Sequence, residues 1–448
     1  MNVIAEGLNF PTSIALGTDG SIYVAESGLP FGGAPLGGRI WRIHNGERIS
    51  VVEGLRPPVN GLLLHQRKLI ISEGGYPGRI SSFDLDHNEL TSLIDGLPGF
   101  GNYHTNMTVL GPDGKLYFSQ GAMTNSSVIG LDSHDLGWLR YVPHNCDIPG
   151  YDIKIRELSF VTRDPRSESP AEAQTGPFAP FGTVHPEGFS IAGRVPCTSG
   201  VMRCNIDGSD LELVAWGLRN AYGLGFLPDG RMLATDQGAD ARGSRPLANC
   251  PDALFAVKPG AWYGWPDFVC GRPVNAPQFQ VPEATPIDFV LLNHSELPPP
   301  ERPLFEFEIN CAAVKFDVIP ESSQSHHGQL IVALFGDERP MTGPSGPRVG
   351  RSLLRLNPEG WTSHPVHVDG LSRPIDIRFA SDGSAYVVDF GEFEITPDKG
   401  LNARAGTGRI LQLEINALED LPCHLRHSRR TSRLCSSLSA DPCSGGST

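Results

Sequence analysis

GLNFPTSIALGTDGSIYVAE, residues 7–26, returns in nearly the same pattern as GLSRPIDIRFASDGSAYVVD at residues 370–389. Each reads as an alternating apolar run, an Asp-Gly turn and a second β-rich run, which is how a β-hairpin looks in sequence. Between them the pattern recurs as GLRPPVNGLLLHQRKLIISE (54–73), GNYHTNMTVLGPDGKLYFSQ (101–120) and GLRNAYGLGFLPDGRMLATD (217–236). A degenerate sixth copy runs CAAVKFDVIPESSQSHHGQLIVALFG (311–336). An outer hairpin motif accompanies these copies, as in GRIWRIHNGERISVVEGL (38–55) and GRISSFDLDHNELTSLIDGL (78–97), ending in the Gly-Leu that opens the next unit. Six units of four strands predict an all-β fold, a six-bladed β-propeller, in which radial repetition leaves only short sheet edges. The last motif, GTGRILQLEI (406–415), leaves its blade one strand short, and NVIAEGL (2–8) matches the missing strand. The N-terminal strand is therefore expected to close the ring.

The propeller spans 1–415 on this reading. Two insertions interrupt it, at about 121–198 and, rich in proline, at about 265–310; long insertions of this kind are commonly functional loops. The Ser/Arg-rich tail, 416–448, lacks strand periodicity and is expected to be disordered.

Composition agrees with a loop-rich β architecture. The 448 residues include 52 Gly and 39 Pro, both of which weaken helix interiors and supply turns. The formal net charge of −14 disfavours nucleic acid and anionic membranes as partners. No apolar run reaches the ~18–20 residues of a membrane span, and the first residues lack the pattern of a signal peptide. The nine cysteines show neither C-x-x-C pairs nor metal-like spacing, so buried thiols are expected.

Because an inner strand leaves one face of a propeller and its partner returns to it, the two ends of each inner hairpin surround one channel mouth. The first slot collects Phe10, Pro57, His104, Asn220 and Arg373, with Arg219 one place earlier. The second collects Glu26, Glu73, Gln120, Asp236 and Asp389. A histidine, two arginines and four carboxylates make a polar site. The carboxylates read either as solvated edge charge or as oxygen ligands for a hard cation.

The segment WGLRNAYGLGFLPDGRMLATDQGADARGSRPLANCPDALFAVKPGAWYGWPDF (216–268) resembles the fourth-blade signature of the soluble quinoprotein glucose/sorbosone dehydrogenases. The likeness runs over about 1–415. GNYHTNMTVLGPDGKLYFSQG stands where that family carries its catalytic-histidine hairpin, and ATDQGADARGSRPLAN and GAMTNSSVIGLD look closer to the sorbosone branch. The resemblance implies oxidation of an aldose or sugar aldehyde by pyrroloquinoline quinone (PQQ), outside the cytoplasm, with an unspecified electron acceptor. It implies His104 as the general base and Arg219 as the stabiliser of the quinone oxygen, with Asn220 beside it. Gln237, Gly238 and Ala239 would give oxygen ligands to a Ca²⁺, and Arg348, Arg351, Lys315 or Arg373 would meet the cofactor carboxylates. Where the glucose branch has Gly-Asp after the third hairpin, this chain has Gly121-Ala122, which leaves Asp132 or Asp135 to orient His104. The chemistry is coherent in itself: an imidazole is a natural base near neutral pH, and a guanidinium stabilises developing negative charge. Two other readings use the same mouth: a Ca²⁺-dependent lactonase-type propeller, and a non-catalytic propeller that binds a glycan or protein.

Overall fold

Each repeat forms one four-stranded antiparallel sheet, and the six sheets stand in a ring. The computed structural model describes residues 1–413, except 100, 169–170, 324, 340–341, 343–345 and 397–399. The tail expected to be disordered lies outside the described residues. Blades I and II are continuous, running from Pro11–Leu16 to Glu47–Leu55 and from Val59–His65 to Glu89–Leu97. Blade III begins at Thr105–Leu110 and Leu116–Gln120, and its outer pair, Gly200–Cys204 and Glu212–Trp216, comes only after the first insertion. Blade IV begins at Ala221–Phe226, and the second insertion separates its third strand, Ala253–Val257, from a two-residue outer strand, Phe305–Glu306. Blade V runs from Ala313–Val318 to Thr362–Val366. Blade VI combines Pro374–Phe379, Ala385–Asp389 and Gly408–Leu413 with the N-terminal Asn2–Leu8, which pairs antiparallel with Gly408–Leu413. The ring therefore closes as the repeats require.

That closure is measurable. Removing residues 1–8 strips Leu8, fully buried, from the core and leaves Gly408–Leu413 as an open edge. The truncated chain is expected to lose at least about 2 kcal/mol of stability, the value of one buried leucine. An unchanged denaturation midpoint would contradict this closure.

The apolar faces of neighbouring blades interlock around the ring. The Trp262 ring stacks on Trp216 as blade packing. The six described cysteines (Cys146, Cys197, Cys204, Cys250, Cys270 and Cys311) are free thiols, all buried except the half-buried Cys146. No described helix is long and apolar enough to cross a membrane.

One feature of the inner hairpins is absent from the sequence pattern. In all six, the ladder slips by one residue just inside the mouth, for example between Pro11↔Glu26 and Ser13↔Ala25 and between Ala221↔Asp236 and Gly223↔Thr235. An extra residue at a bulge turns its side chain away from the sheet alternation. Thr12, Asn60, Asn106, Tyr222, Val314 and Ile375, one from each blade at these slips, line the central cavity.

Candidate active site at the channel mouth

The cavity encloses about 290 Å³ at one end of the propeller axis. His104 and Asn220 stand on its wall, each immediately before the first strand of its blade. The same place is held by Phe10, Pro58, Ala312 and Arg373 elsewhere. Pro57, expected there, is one residue out because Arg56-Pro57-Pro58 is one residue longer than the matching approach in blade I.

His104 is fixed by the neighbouring blade. Its Nδ1 lies 3.2 Å from the Gly74 carbonyl, an acceptor only, so Nδ1 carries the proton. Nε2 is left as a lone-pair acceptor with no partner among the described residues. The approach requires glycine, since a Cβ on Gly74 would stand 2.5 Å from the His104 Cβ. Burial, opposed weakly by this bond, pulls the imidazole down to about 4, so it is neutral across the physiological range. The carboxylates expected to orient it do other work: Asp132 pairs with Arg242 at 2.6 Å, and Asp135 is exposed beside His134.

Arg219 lies buried in the wall, its guanidinium over the Tyr103 ring at 4.5 Å. Nε donates to the Asn125 carbonyl (3.0 Å), and Nη1 to the Gln237 and Gly238 carbonyls (3.2 and 2.6 Å). Nη2 donates to Asn125 Oδ1 (2.7 Å), Asp240 (2.9 Å) and the Tyr103 hydroxyl. Arg242 continues the cluster, donating to Asp240, Asp132 and Tyr103. Arg219 thus clasps the first insertion to blade IV. Asn220 joins a second chain, accepting from Asn106 (2.8 Å) and donating to Gln237 Oε1 (2.7 Å).

The remaining basic candidates do not reach the cavity. Lys315 is fully buried in the channel below it, donating to the Thr12 and Asn60 carbonyls (2.8 and 2.5 Å), with Asp376 at 3.6 Å. Burial pulls its ammonium down to about 8. Arg373 is fully buried behind the wall and donates to the Gly336 and Asp337 carbonyls. Arg351 pairs with Glu394, and Arg348, largely exposed, sits 3.5 Å from the same carboxylate. Of the expected cofactor contacts, only Asn220 faces the cavity together with His104 and Arg219.

The four mouth carboxylates are structural. Glu26 accepts the Asn9 amide, Glu73 that of Arg56, Asp236 those of Arg219 and Asn220, and Asp389 those of Ser372 and Arg373. Each latches the chain as it enters a blade. Burial pushes Asp236 up to about 7. The Gln237 and Gly238 carbonyls are likewise engaged, by a guanidinium that repels a cation, so a Ca²⁺ at Gln237–Ala239 does not fit this arrangement.

Sequence reasoning passed over Tyr103, Tyr222, Asp240, Arg242 and Glu338, all of which line the cavity. Tyr103 adjoins His104, and Asp240 and Arg242 lie in the ATDQGADARGSRP stretch, so adjacency could have raised them. Glu338 follows the weakest repeat, where no register was available.

No family model and no curated protein matches the chain. Solved structures do. The PQQ-bound aldose sugar dehydrogenase of Streptomyces coelicolor superposes with a TM-score of 0.54 at 17% identity, covering 92% of this chain and 96% of that one. The PQQ domain of Coprinopsis cinerea pyranose dehydrogenase, in its holo form, gives 0.51 at 14% identity, covering 91% and 94%. The soluble aldose sugar dehydrogenase of Escherichia coli, in its apo form, gives 0.50 at 14% identity, covering 92% and 98%. At these identities the likeness is one of fold.

Proposed function

We propose that the protein is a PQQ-dependent oxidoreductase of aldoses or sugar aldehydes, with His104 as general base. The observation that carries this reading is the imidazole itself, a cavity-lining side chain whose Nδ1–H is committed to Gly74 and whose Nε2 has no partner among the described residues. Nε2 takes the proton of a substrate hydroxyl as the adjacent C–H is oxidised, and burial keeps the base neutral and ready. When bound, PQQ supplies the carbonyl that accepts the hydride. The donor set suits its quinone end, because Arg219 and Asn220 are neighbours on the wall with Arg242 beside them. Their hydrogen-bonding atoms are already engaged, so the cofactor is received by exchange. An anionic oxygen of the cofactor would replace a carbonyl or the Tyr103 hydroxyl on a guanidinium, exchanging a neutral acceptor for a charged one. No step is assigned to calcium. The lactonase reading draws no support, since the carboxylates it would use hold backbone amides.

Titration of the purified chain with PQQ, read by fluorescence and followed by dye reduction against neutral aldoses and sugar aldehydes, tests the proposal. An absence of both saturable binding and reduction would overturn it. Arg219→Lys keeps the charge but loses the fork. This variant is expected to lower kcat by about 10²–10³-fold, the range for one lost donor to a developing oxyanion. It is also expected to weaken PQQ binding. Unchanged values for both would remove Arg219 from the site.

A further inference from the structure

A cavity wall normally has its buried polar groups satisfied, because an unmet hydrogen-bonding atom costs about 1–3 kcal/mol. Most of this wall obeys. Asp240 is held by Arg219 and Arg242, Asp252 by the Gly238 and Ala313 amides, and Asp337 by the Val349 amide. Asn60 and Asn106 donate to the Thr105 carbonyl and to Asn220. One carboxylate, half-buried and open to the cavity, is left. Glu338 lines the cavity on the segment that leaves the second strand of blade V, Leu330–Leu334, and has no hydrogen bond or ion pair to any described residue. Burial pushes its carboxyl up, while Arg373 and Arg242 pull it down and Asp240 and Asp337 oppose them. The Tyr222 hydroxyl, from blade IV, has no hydrogen bond among the described residues and lies on the same wall.

We propose that Glu338 is the specificity-determining residue of the cavity, accepting hydrogen bonds from the hydroxyls of a neutral polyhydroxyl substrate whose reacting hydroxyl meets His104. This rests on the sugar-oxidation reading above. The two groups come from blades V and III, so a sugar lying between them is gripped from both sides while Tyr222 offers a donor. The same carboxylate repels a substrate that carries its own negative charge. The substrate class is therefore neutral aldoses and their aldehydes, in preference to uronates, aldonates and sugar phosphates.

The test compares wild type, Glu338→Gln and Glu338→Lys, loaded with PQQ. Binding of glucose and glucuronate is measured by calorimetry, independently of turnover, and KM and kcat are measured by dye reduction. Glu338→Gln is expected to weaken glucose binding and raise KM by about 10-fold or more, the worth of a hydrogen bond to a charged group, with kcat changed far less. Glu338→Lys is expected to reverse the order and bind glucuronate more tightly than glucose. If glucose is bound and oxidised equally well by all three proteins, Glu338 has no such role and the sugar-oxidation reading stands. If wild type prefers glucuronate or glucose 6-phosphate, the substrate class is wrong. If wild type binds PQQ but no sugar of either class, both readings fall together.

Discussion

His104→Gln is expected to lower turnover by about 10²–10⁴-fold, the usual contribution of a general base, while PQQ binding stays within a few-fold of wild type. Glutamine retains polarity and approximate size but cannot take up a proton at the position of Nε2. The pH dependence makes the assignment specific. An unperturbed imidazole would place the acid limb of kcat/KM near 6.5, whereas burial moves this one to about 4. Activity is therefore expected to persist well below pH 6 and to decline only as Nε2 becomes protonated. The same shift has a consequence for stability, and its sign is fixed. The folded state binds the proton less readily than the unfolded chain does, so this group's contribution is fully present above about 6.5. It is lost progressively as the pH falls toward 4. A variant that keeps full activity, or a wild-type limb at 6.5, would remove the base from this environment.

The largest effect on stability is expected far from His104. Asp267, at the start of the proline-rich insertion, is fully buried and accepts from Arg245 (3.1 Å), the Leu291 amide (2.8 Å) and His294 Nε2 (2.9 Å). It also takes the Val290 amide at 2.9 Å. Arg245 is fully buried as well and reaches from there to the Ser126 and Pro266 carbonyls, so one carboxylate gathers both insertions. Asp267→Ala strands a buried guanidinium and two buried amides, and a cost of about 3–5 kcal/mol is expected from the broken ion pair. Urea denaturation reads the loss. A change below 1 kcal/mol would mean the insertions are held by their apolar contacts alone.

That cluster explains what the insertions do. The Pro-rich segment looked in sequence like a free functional loop, yet it is bound to the first insertion through Asp267 and through an Ile155↔Leu291 bridge. The first insertion in turn reaches the cavity with Leu136, while its Asp132 pairs with Arg242 of the cavity wall and its Asn125 clasps Arg219. The three asparagines in glycosylation-type triplets (Asn106, Asn125 and Asn293) are each buried, which removes them as modification sites in the folded protein.

The architecture was legible because it is written locally and six times over. Alternation, Asp-Gly turns and the Gly-Leu boundary depend on neighbouring residues, and repetition turns weak hairpin signals into a ring that Asn2–Leu8 must complete. The slot argument also brought His104, Arg219 and Asn220 to one mouth, since a hairpin returns to the face it left. Beyond that, slots say where a backbone lies and not where a side chain spends its hydrogen bonds. Arg373 occupies a slot but turns behind the wall to reach the Gly336 and Asp337 carbonyls, while Lys315 drops into the channel. Glu26, Glu73, Asp236 and Asp389, which read in sequence as solvated edge charge or as ligands for a hard cation, are amide latches, because buried main-chain N–H groups at each blade entrance need acceptors and these are the nearest. The His104 partner is a carbonyl, which no motif can mark. Its tautomer, its lowered basicity, the six bulges that turn residues into the cavity and the unpaired state of Glu338 all arise from groups far apart in the chain. Only the closed ring brings them within reach of one another.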